Sequence, residues 1–205
     1  MNILAIGSHP DDLEYGCGGT LLKFAKTMKN KIYLLVITKG DVGGNLIVRE
    51  REQEASARIL NTKKIFWGGY KDTEVPNDRG LIHKIENVVK EINPDFIFVN
   101  YLHDTHQDHR HTASSTLSAT RHIRNVLFYE VPSTLDFSPT VFMDIGDALE
   151  GKMKLLKAHK SQVHATRITG LSILESVKSC ANFRGFQGRA KYAEGFIPLR
   201  LSLKL

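Results

Sequence analysis

The sequence is poor in cysteine and has no long apolar run, and both absences narrow the class of protein. Its 205 residues include two cysteines, Cys17 and Cys180. Two are too few for a disulfide framework, so we expect a reducing, cytoplasmic location and two ordinary core thiols. No segment approaches the roughly 20 apolar residues of a membrane-spanning helix. The start, MNILAIG followed by acidic residues, lacks the basic stretch and cleavage site of a secretory signal, so we expect no export.

The charge is basic overall but is spread along the chain. The formal net charge is +6 at pH 7, and a clustered basic face would neutralise the phosphates of a nucleic acid. The densest group of lysines is instead typical of the exposed side of a helix and the turn after it: Lys23, Lys26, Lys29 and Lys31. We therefore expect no nucleic-acid partner, and a surface that attracts small anionic substrates.

Short apolar segments alternate with helical patterns along the chain. Five of these segments predict strands, at 2–7, 32–38, 61–67, 95–100 and 125–130. The clearest helix is predicted over 80–92, where apolar residues recur every three or four positions on one face. A further helix is expected near 147–163 and a strand at 197–203, whereas 171–195 shows no clear pattern.

This alternation predicts an α/β fold with a Rossmann-like, mostly parallel sheet and flanking helices, in a single domain that covers residues 1–205. If the first four strands have the order 3-2-1-4, strands 1 and 4 are neighbours where the winding direction reverses. Ligands bind outside the carboxyl ends of the strands at such a point. The two segments richest in reactive side chains, 9–14 and 103–111, follow these two strands, so we expect a ligand site there.

The segment at 8–14 reads Ser-His-Pro-Asp-Asp-Leu-Glu and is followed by three glycines. Pro10 restricts the backbone and the glycines permit a tight turn, which crowds an imidazole and carboxylates at the end of a strand. Zinc in hydrolytic sites takes three nitrogen or oxygen ligands and leaves a fourth position for water. His9 and Asp12 can supply two of them, which leaves Asp11 to accept a proton from that water. The ordinary alternative is a helix N-terminus where the dipole favours carboxylates.

The segment at 103–111 holds four histidines and two aspartates in nine residues. Histidine is a common zinc ligand and changes charge near neutral pH, so one loop can supply both a ligand and an acid. The spacing alone leaves open which histidine has which role, and a solvated loop is the ordinary alternative. The position of both segments at the predicted switch point favours a site.

Together these segments resemble the two signature motifs of the LmbE/PIG-L family of N-acetylglucosaminyl deacetylases. The first motif is His-Pro-Asp-Asp-Leu-Glu at 9–14 with Gly-Gly-Thr at 18–20, and the second is His-Gln-Asp-His at 106–109. Further similarity, at 49–52, 71–72, 159–162 and 192–196, extends the resemblance over nearly the whole chain. It implies a zinc-dependent hydrolase that removes the acetyl group from an N-acetylglucosamine-type conjugate, giving a free amine and acetate.

The resemblance also implies a role for each matching residue. The metal ligands would be His9, Asp12 and His109. The catalytic residues would be Asp11 as general base, His106 as the group that stabilises the oxyanion, and Asp108 as the carboxylate that orients His106. The residues that contact the sugar would be Arg49 and Asp72, with Arg51 in place of Arg49 if the alignment shifts by two. Residues 172–189 match no part of the family pattern.

Several alternatives stay open at this point. The metal could be iron(II) or another divalent ion, because mixed histidine and carboxylate sites do not select zinc by ligand type alone. The same site could act on a nucleotide-linked or other acylated sugar or amide, and the chain could form a homo-oligomer. A non-catalytic Rossmann-type nucleotide-binding protein is a further hypothesis. Against it, the turn at 7–12 lacks a Gly-x-Gly-x-x-Gly pattern, and its paired carboxylates would repel a pyrophosphate.

Overall fold

The structure is a computed structural model, and it describes residues 1–202. Strands and helices alternate through most of this range. The strands are β1 (Asn2–Gly7), β2 (Lys31–Thr38), β3 (Lys64–Tyr70), β4 (Phe96–Asn100), β5 (Val126–Tyr129), β6 (Val141–Asp144) and β7 (Ala193–Arg200). The helices are α1 (Asp12–Ala25), α2 (Leu46–Ile59), α3 (Arg79–Ile92), α4 (Gln107–Ala119), α5 (Leu149–Ala158) and α6 (Ile173–Gln187).

The strands form one sheet with the order β3-β2-β1-β4-β5-β7-β6. Strands β1 to β5 pair in parallel, and β7 runs antiparallel to both β5 and β6. The predicted α/β fold and the order 3-2-1-4 are therefore confirmed. Because β1 and β4 are parallel neighbours, the loops after their carboxyl ends meet at the same edge of the sheet.

Alternate residues of β1 pack into two apolar layers, one on each face of the sheet. Ile3 and Ala5 belong to a core with residues of α1, α5 and α6, whereas Leu4 and Ile6 belong to a core with residues of α3 and α4. All four side chains are fully buried. This is the reason that β1 is apolar without interruption, since successive side chains of a strand point to opposite faces and both faces are covered.

The second half of the chain differs from the sequence-based prediction. Helix α5 ends at Ala158, well short of residue 163, and the segment 171–195 contains α6 and the start of β7. The strand expected at 197–203 begins four residues earlier, and residue 203 lies outside the described residues. Strand β6 was not predicted, and Cys180 is half-buried, whereas Cys17 lies in the core as expected.

Among the described residues, no helix combines the length and the apolar character that crossing a membrane requires.

Candidate active site

The turn between β1 and α1 brings two aspartates to the carboxyl edge of the sheet. Asp11 has a left-handed backbone conformation, with φ 87°, which is uncommon for a residue with a side chain and recurs at functional sites. Asp12 begins α1, and its Oδ2 accepts backbone hydrogen bonds from Ser8 and His9 at 3.0 Å each. The side chain of Asn100, at the end of β4, donates to the same oxygen at 3.4 Å. The Asp12 carboxylate is therefore held in one orientation by both strands.

The loop between β4 and α4 supplies a histidine to the same place. His109 lies in the first turn of α4 and is buried. Its Nδ1 lies 3.1 Å from Oδ2 of Asp104, which leaves Nε2 directed at the Asp12 carboxylate, 3.3 Å away. Burial alone would lower the pKa of His109, but the carboxylates of Asp12 and Asp104 outweigh it and raise the pKa to about 9.

Three donor atoms from the two loops form a compact triangle. His9 Nδ1 lies 3.1 Å from His109 Nε2 and 3.6 Å from Asp12 Oδ2, and the third side is the 3.3 Å between His109 and Asp12. Ligands about 2.0–2.2 Å from a tetrahedral ion are roughly 3.3–3.6 Å apart. His9, Asp12 and His109 can therefore hold one metal ion, and they are the three residues that the family resemblance implied as ligands.

A second layer of carboxylates surrounds His9. Its Nε2 lies 3.0 Å from Asp72 Oδ1 and 3.3 Å from Asp108 Oδ2. Both carboxylates are themselves fixed, because Asp72 accepts from the backbone N–H of Val42 and Asp108 from that of Thr73. A ligand histidine that donates its second N–H to a carboxylate is a recurrent arrangement of metal sites, and it sets which nitrogen faces the metal.

The Asp108 carboxylate therefore orients His9, where the family pattern implied that it orients His106. The His106 ring instead accepts a hydrogen bond at Nδ1 from the backbone N–H of Asp108, at 3.2 Å. This Nδ1 carries no proton, so the neutral ring carries its proton on Nε2. Burial lowers the pKa of His106, and so do the nearby His9 and His109. The ring is suited to donate one hydrogen bond as a neutral group rather than as a charged one.

The Asp11 carboxyl group has an unusually high pKa for an aspartate. Burial raises the pKa to about 6, although the positive charges of Arg49 and His159 act in the opposite direction. The nearest of these, Arg49 Nη2, lies 3.6 Å from Asp11 Oδ1. A carboxyl group with a pKa this close to neutrality can both accept and return a proton.

Arg49 is buried, and it lines the cleft that also contains Asp11 and the three donor atoms. It donates to the backbone carbonyl oxygens of Pro10, at 2.7 Å, and Gly40, at 3.1 Å. Arg51 is exposed on the other side of α2, so Arg49 is the arginine that reaches the site. Its first effect is on the protein itself, since it fixes the turn that carries Asp11.

These side chains line the metal end of a cleft of about 410 Å³. The metal end holds His9, Asp11, Asp12, Asp72, His106 and His109. The same cleft is also lined by residues of the loop between α5 and α6, namely Gln162, Ala165 and Arg167. The lining of the cleft thus combines acidic side chains with two arginines, Arg49 and Arg167.

Two residues of the site were given no role in the sequence-based prediction, Asp104 and Glu14, although Glu14 belongs to the first motif. Asp104, which contacts His109, lies in the histidine-rich segment, and that was the only signal for it. Glu14 lies behind Asp11 and is buried with Gln53 and Ser56, which donate to its Oε1 at 2.7 Å each. His159 Nε2 lies 3.4 Å from the same oxygen. This buried cluster supports the turn from behind.

The sequence matches the protein family described as PIG-L, GlcNAc-PI de-N-acetylase, over residues 4–120. The chain belongs to the PIG-L family. The match spans both motif segments, and the predicted family is confirmed. This PIG-L protein is similar to a deacetylase of Escherichia coli K12 named YaiS, uncharacterized, with 36% identity over 172 residues that cover 78% of this chain and 90% of YaiS.

Two further relatives of this PIG-L protein have names that state a substrate. The diacetylchitobiose deacetylase of Thermococcus kodakarensis is 29% identical over 185 residues, which cover 78% of this chain and 69% of that protein. The structure of the N,N'-diacetylchitobiose deacetylase from Pyrococcus horikoshii, complexed with its inhibitor MPG, superposes with a TM-score of 0.83 at 25% identity. The superposition covers 97% of this chain and 83% of the Pyrococcus horikoshii chain. The PIG-L protein is therefore an enzyme of the deacetylase class, which hydrolyses amide C–N bonds.

Proposed function

We propose that this PIG-L protein is a zinc-dependent deacetylase that removes the acetyl group from the nitrogen of an N-acetylglucosamine conjugate. The observation that carries the proposal is the triangle of His9, Asp12 and His109 with the Asp11 carboxyl group beside it. The amino-sugar substrate is supported by the description of the family and by the names of the two chitobiose deacetylases. Iron(II) or another divalent ion is the alternative metal.

A zinc ion held by His9, Asp12 and His109 would polarise an amide carbonyl and lower the pKa of water toward about 7. Asp11 accepts the proton of the attacking water, and it then donates a proton to the leaving nitrogen. The Nε2–H of His106 donates a hydrogen bond to the carbonyl oxygen as negative charge develops there. Asp72 and Asp108 keep His9 in the orientation that directs Nδ1 to the metal.

We assign Arg49 and Asp72 to contacts with the sugar as well. Both line the cleft beside the metal end. Each Asp72 oxygen accepts one hydrogen bond and keeps a second lone pair for a hydroxyl group. We also propose a cytoplasmic location, since Cys17 and Cys180 are both free thiols.

The test is acetate release by the metal-loaded protein and its Asp11→Asn variant. The substrates are the methyl glycoside of N-acetylglucosamine, N,N'-diacetylchitobiose and acidic N-acetylglucosamine conjugates. We expect the wild type to release acetate, and Asp11→Asn to lose activity roughly 10²- to 10⁴-fold while it keeps its metal. Asn adopts the left-handed conformation readily, so this substitution leaves the turn intact.

Asp136→Asn is the matched control, because Asp136 is an exposed aspartate with a similar backbone, φ 51°, outside the cleft. It should keep full activity. The proposal is refuted if the wild type releases acetate from none of the conjugates, or if Asp11→Asn is as active as the wild type.

A further inference from the structure

One part of the cleft wall is a loop that carries an exposed arginine. The α5–α6 loop, residues 159–172, is closed on itself by the hydrogen bond from the Thr166 hydroxyl to the Leu171 carbonyl oxygen, at 2.8 Å. Gln162 Nε2 donates to the carbonyl oxygen of Gly43, which also lines the cleft, at 3.3 Å. Arg167 lies within the loop and lines the same cleft as the metal-binding triangle.

A second cavity, of about 530 Å³, adjoins this loop. Its polar lining comes from His164, Arg167, Thr169, Ser172 and Glu175. Arg167 lines both the cleft and this cavity. A substrate whose acetamide group lies at the metal end would place its other substituents elsewhere in the cleft, whose lining includes this arginine.

Among residues 1–202, no carboxylate forms an ion pair with Arg167. Of the arginines that line the cleft within residues 1–202, Arg49 donates to the backbone carbonyls of Pro10 and Gly40, whereas Arg167 is exposed and forms no ion pair with a described residue. The carboxylate in the second cavity, Glu175, accepts hydrogen bonds from the backbone and hydroxyl of Ser172. The guanidinium of Arg167 is therefore available to a ligand.

We propose that Arg167 binds a negatively charged group, a carboxylate or a phosphate, on the part of the substrate remote from the acetamide. The enzyme would then prefer acidic N-acetylglucosamine conjugates to neutral ones. A guanidinium pairs with either group through two parallel N–H donors, which gives geometric selectivity as well as charge. The inference rests on the proposed deacetylase function and specifies its substrate class.

The test compares kcat/KM for three substrates that differ in the group at the anomeric position. They are the neutral methyl glycoside of N-acetylglucosamine, its carboxymethyl glycoside and N-acetylglucosamine 1-phosphate. We expect the wild type to prefer one or both acidic substrates. Arg167→Ala should lower kcat/KM for the preferred substrate roughly ten- to 100-fold, mainly through KM, and leave the methyl glycoside unchanged. Arg167→Lys, which keeps the charge without the paired donors, should recover part of the loss.

Arg189→Ala is the matched control. Arg189 is an exposed arginine with φ 59°, almost the same backbone conformation as Arg167 with φ 58°, and it lies outside both cavities. Equal values for acidic and neutral substrates in the wild type would overturn the inference, as would an equal loss in Arg189→Ala. The carboxylate and phosphate substrates separate the two anions.

The two proposals fail in distinguishable ways. If no conjugate is hydrolysed, the proposed function fails. The binding of the two acidic compounds to the wild type and to Arg167→Ala, measured by calorimetry, still tests whether Arg167 binds an anion. Weaker binding of at least one acidic glycoside by Arg167→Ala supports the inference. Equal affinity of the two proteins for both of them overturns it.

Discussion

Carboxylates that do not touch the proposed metal decide how the histidines present their ring nitrogens. Asp104 occupies Nδ1 of His109, so Nε2 of that ring is directed to the site. Asp72 and Asp108 occupy Nε2 of His9, so Nδ1 is directed there instead. The two histidines therefore use different nitrogens, and each choice follows from the position of its carboxylate partner.

Removal of the negative charge at Asp104 should weaken metal binding. We expect Asp104→Asn to lower the metal affinity roughly 10- to 100-fold, because the His109 ring loses the partner that fixes and polarises it. Competition with a chromophoric chelator measures this affinity. Asp147→Asn is the control, since Asp147 is an exposed aspartate whose ion-pair partners, Lys23 and Lys26, are distant from it in sequence. Unchanged affinity in Asp104→Asn, or an equal loss in the control, would contradict this role.

The stability of the metal-free protein should depend on the protonation of His109. Its pKa is about 9 in the folded protein, against about 6.5 in an unfolded chain. A raised pKa gives stabilisation that is complete below about pH 6.5 and is lost as the pH rises through about 9. The thermal midpoint of the metal-free protein should therefore decrease as the pH is raised from about 6.5 to about 9. The midpoint of the metal-loaded protein should change less over the same range. A midpoint that rises across this window in the metal-free protein would exclude the explanation.

The sequence and the family resemblance indicated the candidate donor residues of the site but not the contacts between them. His9, Asp12 and His109 follow β1 and β4, which strand order places side by side, so their proximity could be predicted. The contact of Asp108 with His9 could not be predicted. The Asp108 carboxylate accepts from the backbone of Thr73, and only the path of the β3–α3 loop decides that it then lies against His9.

At the scale of secondary structure, the ring of Tyr129, on β5, packs directly against Gly16 of α1. A Cβ atom built on Gly16 would lie 2.0 Å from the ring of Tyr129, a fully buried side chain whose hydroxyl donates to the Ile6 carbonyl oxygen at 2.9 Å. Gly18, on the same helix, has more room, with Leu155 Cδ1 at 3.2 Å as its nearest neighbour. The helix that carries Asp12 can therefore approach the sheet only where residue 16 has no side chain.

We expect Gly16→Ala to destabilise the protein by about 1–3 kcal/mol or more, because Tyr129 must move out of a packed core. Gly18→Ala should stay within about 1 kcal/mol of the wild type, since alanine favours a helix over glycine and offsets a tight contact. Urea unfolding followed by circular dichroism gives both values. Equal destabilisation by the two substitutions would show that the Tyr129 contact is not the cause.

The elements that could be predicted are those whose burial matches their apolar pattern. Strands β1, β2 and β4 are apolar on both faces because both faces are covered, and α3 buries one regular stripe. Helix α6 lacks such a stripe, since Phe183 and Phe186 are exposed whereas Arg184 is buried in an ion pair with Glu130. Strand β6 is only half-buried. In α6 and β6, tertiary contacts decide which residues are polar and which are apolar, and the local sequence pattern does not show these contacts.

At the scale of the whole molecule, β7 is bonded to the first helix, α1. Glu194, on β7, accepts hydrogen bonds from the backbone N–H groups of Gly19 and Thr20 in α1, at 2.8 and 2.7 Å. It also pairs with Lys152 of α5, and both side chains are buried. These contacts join β7 to α1 and α5, whereas the family match ends at residue 120. That residues 1–205 form a single domain stays a prediction.

Glu194→Gln should destabilise the whole fold by about 3–5 kcal/mol, because it leaves the Lys152 charge buried without its partner. The only tryptophan, Trp67, lies in β3 at the opposite edge of the sheet. In a single cooperative unit its fluorescence midpoint should shift together with that of circular dichroism. Glu91→Gln, which breaks an exposed pair with Lys64, should shift neither. If Glu194→Gln left the Trp67 midpoint unchanged, the contacts of Glu194 would not belong to the same cooperative unit as β3.

The central claim is that His9, Asp12 and His109 hold one metal ion on which acetate release depends. The most direct measurement strips the protein of metal, titrates zinc back, and records bound metal and acetate release together. The account predicts that activity rises in proportion to occupancy and reaches its maximum at one ion per chain, and that His109→Ala neither binds this ion tightly nor regains activity. Full acetate release by the metal-free protein, or undiminished zinc-dependent activity in His109→Ala, would contradict it.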